Sequence, residues 1–284
     1  MVPVVPNAAP AQPGAAPKRS NPVDTRAAPV LLRRCTTLRD GHRVPASRLL
    51  QRHWSRLDGP ALAATLSGAR AGLAAFTDVT RDAGSLIQSW VRGQPMVEHD
   101  HYPPDDVVDA RNGSQFFYHA HRSHGTEHGH LHLFWHATAS GRRRYVAGLS
   151  PRWRRSAPTH LLAIGLDNRG LPMSVFTVNR WVTDGHWFDA AATLAMVDRF
   201  AVRQAPEHAA SAAWLTHFVR IYRPVIEDLL VRRDRRLRRC VRLEVALQNR
   251  DLEVLSQIDL DWAADLEALE AECQRRRPAA ATCL

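Results

Sequence analysis

Residues 115–136 read QFFYHAHRSHGTEHGHLHLFWH and hold seven of the chain's fifteen histidines. From Gln115 to His121 the odd positions are Gln115, Phe117, His119 and His121, and the even ones are Phe116, Tyr118 and Ala120. From His128 to His136 the even positions carry His128, His130, His132, Phe134 and His136, and the odd ones Gly129, Leu131, Leu133 and Trp135. Successive side chains of a strand point to opposite faces, so each segment has one His-bearing and one apolar face. Residues 123–126 (SHGT) form the break between them. The spacing therefore predicts an antiparallel β-hairpin. If both apolar faces seek one core, odd positions of the first strand pair with even positions of the second. One such register sets His121 beside His128, His119 beside His130 and Phe117 beside His132. Opposed Cβ atoms lie roughly 4.5–5.5 Å apart, within reach of a common ion.

Working outward, residues 98–106 (EHDHYPPDD) enter the hairpin through a Pro-Pro loop and place two further histidines beside four acidic residues. Such a loop supplies either ligands and the carboxylates that orient them, or Asp side chains that cap their own turns. Downstream, residues 160–165 (HLLAIG) and 171–181 (LPMSVFTVNRW) flank an Asn-Arg-Gly turn and read as a second hairpin. His160 opens that hairpin. Asn179 and Arg180 close it, and are candidate substrate-binding residues on a pocket rim. The Arg clusters at 142–144 and 152–155 read as solvated charge, with anion binding as the alternative.

Helical spacing surrounds these strands. Leu49, Leu50, Trp54 and Leu57 mark a helix over 46–57, and further helices are expected over 61–76 and 82–91. Asp189 is placed to cap a helix running to about Val202. Pro206 starts the next helix, and Pro224 kinks or restarts it. The continuation carries Arg232, Arg233, Arg235, Arg236, Arg238, Arg239 and Arg242. Residues 251–272 are acidic, with Leu255, Ile258, Trp262, Leu266 and Leu269 at three- and four-residue steps, and predict a helix packed on the basic one. The expected fold is α+β: a small, mainly antiparallel sheet with a His-rich hairpin, covered by N- and C-terminal helices. Residues 1–29 read as a disordered Pro/Ala-rich tail, 30–250 as a single α+β domain, 251–276 as the acidic helix and 277–284 as a flexible tail.

Composition bounds the partners. The chain has 284 residues, 45% of them hydrophobic, enough for a full core, and a formal charge of +10. That charge favours an anionic partner, but mutual neutralisation of the basic and acidic helices argues against nucleic acid, which leaves anion or nucleic-acid binding as the weaker alternative. Cys35, Cys240, Cys273 and Cys283 show no metal-binding spacing and fit a reducing cytoplasm without a disulfide framework. No apolar run reaches the roughly 20 residues of a membrane helix, and the start of the chain lacks a signal-peptide pattern.

The site reading is a divalent-metal centre (zinc, iron or copper) with His119, His121, His128, His130 and His132 as ligands. Glu127 or Asp105 would accept a proton from metal-bound water. Hydrolysis suits zinc, and oxygen chemistry suits iron or copper. A metal-binding or sensing module without turnover is the alternative, as is a structural network pairing histidines with Glu127, Asp105 or Asp109. His-x-His on a strand is similar to the cupin pattern, but no Glu follows three or four residues on, so that fold is not assigned. The small-molecule substrate and the oligomeric state are left open.

HYPPDDVVDARNGSQFFYHAHRSHGTEHGHLHLF (residues 101–134) and THLLAIGLDNRGLPMSVFTVNRWVTDGHWF (residues 159–188) resemble a bacterial protein family carried as a domain of unknown function. The resemblance runs from about Leu49 to Leu269. It implies the domain limits and a bacterial cytoplasmic setting, and carries no established activity, cofactor or catalytic residue.

Overall fold

The computed structural model describes residues 44–120, 126–136, 157–240 and 242–276. His121, the 142–144 and 152–155 Arg clusters, the 1–29 tail and the 277–284 tail lie outside the described residues. Six strands form one sheet: β1 (Tyr102–Val108), β2 (Ser114–Ala120), β3 (Gly129–Trp135), β4 (Thr159–Leu166), β5 (Pro172–Val178) and β6 (Val254–Asp259). They lie side by side in chain order and every neighbouring pair is antiparallel. Both predicted hairpins are present. The β2–β3 register sets His119 opposite His130 and Phe117 opposite His132, one of the odd-to-even pairings that parity allowed. Asp167 accepts hydrogen bonds from the backbone amides of Arg169 and Leu171, and Gly170 takes φ +80°, which closes the β4–β5 turn.

One face of the sheet is apolar. Phe116, Tyr118, Leu131, Leu133, Trp135, Leu162, Ile164, Val175 and Ile258 join a core with helices from both ends of the chain. The α-helices among the described residues are α1 (Ala46–Trp54), α2 (Gly59–Ala83), α3 (Leu86–Val91), α4 (Arg180–Thr183), α5 (Ala190–Val197), α6 (Ala209–Ile221), α7 (Arg223–Leu237), α8 (Leu243–Gln248) and α9 (Trp262–Arg275). Their starts follow local chemistry. Asp58 caps α2 by accepting from the Ala61 amide at 2.8 Å, and Asp189 caps α5 by accepting from Ala192 at 2.8 Å. Pro206 begins a short 3₁₀ turn before α6, and Pro224 sits in the first turn of α7, where its missing N–H costs nothing. In α2, a Cβ at Gly72 would lie 2.9 Å from the Cβ of His217 on α6, so the two helices cross where a larger residue would separate them. Phe76, Trp214 and Trp262 fill the space beside this crossing with ring centroids 4.9–6.3 Å apart.

Three expectations are corrected. Residues 251–276 are not one helix, because 254–259 form edge strand β6 against β5 and only Trp262–Arg275 are helical. Leu255, Ser256 and Ile258 are all buried, so β6 lacks the period-two alternation of a half-exposed strand, and its apolar spacing imitates a helix. Nor does the acidic helix neutralise the basic one. Helix α7 lies on β6, where Arg236 donates to the Val254 carbonyl at 2.9 Å, whereas α9 lies against the N-terminal helices through Arg70–Glu270 at 3.1 Å and Arg276 to the Trp54 and Leu57 carbonyls. Finally, Cys240 is disulfide-bonded, against the expectation of a chain without a disulfide framework. Pairing depends on approach in space, which sequence spacing does not give. Among the described residues no helix is long and apolar enough to cross a membrane.

Candidate metal centre

The opposite face of the sheet is built from cross-strand rows. One row runs His119 (β2), His130 (β3), Gly165 (β4) and Ser174 (β5), and the next runs Phe117, His132, Ala163 and Phe176. Because residues in register share a face, the two rows bring three imidazoles together from adjacent strands. Each of His119, His130 and His132 offers one ligating nitrogen, and these nitrogens all lie within 4.8 Å of one another. The Nε2 atoms of His119 and His130 are 2.8 Å apart. The cluster is set deep: His132 is 2% exposed and His130 8%. Phe117, Phe134 and Phe176 wall it, with Phe176 edge-on to His130 at 4.9 Å.

His130 and His132 each have a partner on the other ring nitrogen. His130 donates from Nδ1 to Glu127 Oε1 at 2.8 Å, which fixes the tautomer that leaves its Nε2 lone pair directed at His119. His132 Nδ1 and His160 Nε2 form a hydrogen bond at 2.9 Å. Burial, followed by the electrostatic effects of His160, His130 and His119, holds His132 well below the usual histidine pKa. Burial, then the nearby Arg233 guanidinium and His130, lowers His160 to about 3. Both rings are therefore neutral at physiological pH, the form in which imidazole ligates a metal.

His160 escaped the parity argument for a physical reason. Counting from Leu162 and Ile164, an even position of β4 faces the apolar core. A register shift between Leu133 and Phe134 inserts one residue into β4, so His160 pairs with Phe134 and joins the His-bearing face. The strand entering the hairpin is irregular as well. Between Tyr102 and Val107 β1 bulges, and Asp106 takes φ +54°. Its carboxylate accepts from His101 Nδ1 at 2.8 Å and from Gln115 Nε2 at 2.6 Å. The His101 ring lies 3.6 Å over Phe117, nearly parallel to it. The acidic side chain of this loop that holds a histidine stacked on Phe117 is Asp106, one residue beyond the Asp105 that the sequence suggested. Asp105 is exposed.

Other sequence candidates have different roles. His128 precedes β3, where strand alternation does not govern it, and its Nδ1 meets the Tyr118 hydroxyl at 2.6 Å toward the helical core. Tyr118 in turn stacks on Trp90 at 5.8 Å. Gly129 permits this contact, since a Cβ there would overlap the Tyr118 hydroxyl and the His119 carbonyl. His128 therefore stands apart from the triad. Asn179 is fully buried and donates to the Ala246 and Leu252 carbonyls at 2.8 and 2.9 Å while capping α4, so it joins α8 to the sheet instead of facing a substrate. Arg180 opens α4 beside it, half-buried, and its backbone amide donates to Asn179 Oδ1. Asp109 accepts four backbone amides, from Arg111, Asn112, Arg203 and Gln204, which outweigh its burial and lower its pKa. It links the β1–β2 turn to the segment after α5, a structural role outside the cluster.

No curated protein and no solved structure matches this chain. Residues 67–260, which span all six strands and the whole histidine cluster, match the family described as Domain of unknown function (DUF6969), and the chain belongs to that family.

Proposed function

We propose that this protein binds one zinc ion through Nε2 of His119, His130 and His132 and uses it for hydrolysis. The observation that carries the reading is the convergence of three imidazole nitrogens from two adjacent strands, with Nδ1 of His130 and His132 already engaged by Glu127 and His160. Ligating histidines characteristically donate their second ring N–H to such a partner. Tetrahedral zinc with Zn–N bonds of about 2.0–2.1 Å needs ligand nitrogens roughly 3.3 Å apart. The 2.8 Å between His119 and His130 calls for an opening of only about half an ångström, within reach of small ring rotations.

The donor set favours zinc over iron, because non-haem iron oxygenases use two histidines and a carboxylate and here the carboxylate of Glu127 is occupied by His130. Zinc held by three imidazoles supplies a bound water acidified to near neutrality. Glu127, engaged with His130, is replaced as proton acceptor by His101, which Asp106 orients and which overhangs the cluster through its stack on Phe117.

The same 2.8 Å contact favours a second reading, a metal-free network in which His119 and His130 hydrogen-bond to each other. Zinc titration of metal-stripped, untagged protein separates the two. One ion per chain in the wild type, with loss of binding in His119→Ala and His132→Ala variants that remain folded, is the expected result. A wild type that takes up no zinc, or variants that retain it, would leave the hydrogen-bonded network.

A further inference from the structure

The row through His119 and His130 continues to Gly165 on β4, then Ser174 on β5, one residue per strand. At Gly165 the row lacks a side chain. A Cβ built there would stand 2.5 Å from Glu127 Oε2 and 2.5 Å from Ser174 Oγ, and 3.1 Å from the Glu127 carboxyl carbon. Glu127 lies before β3, outside the register, yet its carboxylate occupies the space that a residue at 165 would fill, next to the His130 it orients. Ser174 is 2% exposed and its hydroxyl, directed at the same point, has no hydrogen-bond partner among the described residues. A buried hydroxyl left unmatched costs about 1–3 kcal/mol, and here it borders the same empty point as Glu127 Oε2 without being hydrogen-bonded to it.

We propose that Gly165 is a seat for the Glu127 carboxylate and that Ser174, Glu127 and His130 form a positioning relay for the metal centre. In it Glu127 Oε1 accepts the His130 Nδ1 proton, and a small shift of the Ser174 hydroxyl across the space left at 165 lets it donate to Glu127 Oε2. Glu127 is thereby a positioning residue, held by an absent side chain on one strand and a hydroxyl on the next. The inference rests on the zinc reading for its consequence, but the relay itself is a statement about the His130 tautomer. Glycine is required at 165 for the space it leaves: its φ lies in the ordinary range for a strand residue, so alanine meets no backbone obstacle and its methyl group meets the carboxylate.

The test combines zinc affinity, read by competition with a chromophoric chelator, with ¹⁵N NMR of labelled histidine on the metal-free protein. Loss of such outer partners typically weakens metal binding 10–100-fold. Glu127→Ala and Gly165→Ala are each expected to weaken zinc binding by about tenfold or more, and Ser174→Ala by a few-fold. The Glu127→Ala/Gly165→Ala double variant is expected to bind no more weakly than Glu127→Ala alone, because with the carboxylate gone the methyl group meets only the Ser174 hydroxyl, which then has nothing to position. In the metal-free wild type the His130 proton should reside on Nδ1 and redistribute between the two nitrogens in Glu127→Ala and Gly165→Ala. Additive losses in the double variant, or unchanged affinity in Gly165→Ala, would overturn the seat. If the wild type binds no zinc, the zinc reading fails while the tautomer still decides the relay, and a His130 tautomer indifferent to Glu127 and Gly165 would overturn it. Should Gly165→Ala fail to fold, Ser174→Ala and Glu127→Ala decide the relay by the same two readouts.

Discussion

The two faces of the sheet are both buried but differ in what they bury. Toward the helices, Leu131 and Leu133 are fully enclosed among apolar neighbours. Across the same strand, His130 and His132 are almost as enclosed, yet each must satisfy two ring nitrogens. Burying polar groups costs free energy unless they find partners, and an apolar residue would fill the same space with less demand on its surroundings. One face is thus explained by the hydrophobic effect alone. The other holds imidazoles whose cost stability does not explain, and such clusters are candidates for a functional site.

Breaking the apolar face should have the largest effect on stability. Leu133→Ala leaves a cavity in the core and is expected to cost about 2–5 kcal/mol in urea unfolding, while the folded fraction keeps its zinc affinity. Acid tests the other face. His160 has a folded pKa near 3 and His132 one well below 6.5, so at pH values between the folded and unfolded pKa the unfolded chain binds more protons. Stability then rises with pH up to about 6.5 and is lost progressively as pH falls below it, by up to about 1.4 kcal/mol per pH unit for each such histidine. His132→Phe should flatten that slope by about one proton, measured by urea unfolding at pH 7 and pH 4.5.

A smaller effect sharpens the boundary between the faces. Tyr118→Phe removes the hydroxyl that meets His128 and should cost about 1 kcal/mol without altering zinc binding, because His128 belongs to the helical side. The smallest effect is expected for His132→Phe at neutral pH, where an aromatic ring of similar size replaces the imidazole. Its unfolding free energy should stay within about 1 kcal/mol of the wild type while zinc binding is lost.

Much of this contrast was legible in the sequence, and the failures have definite causes. Alternation within 115–121 and 128–136 identified the hairpin and restricted its register to odd-to-even pairings, of which His119 opposite His130 is the one formed, because side-chain direction in a regular strand follows parity. Parity failed where the chain leaves regular pairing. His128 lies one residue outside β3, His160 is turned by a bulge, and at the positive-φ bulge in β1 it is Asp106, not Asp105, whose carboxylate meets His101 and Gln115. Gly165 and Ser174 gave no signal at all, since their role arises only from cross-strand neighbours. Strand β6 was read as helix because burial on both faces erased its alternation.

Zinc-edge anomalous diffraction from crystals of zinc-loaded, untagged protein tests the central claim most directly. The account predicts one anomalous peak per chain, about 2.0–2.1 Å from Nε2 of His119, His130 and His132. No peak at that position, or a peak held instead by His128 or His136, would contradict it.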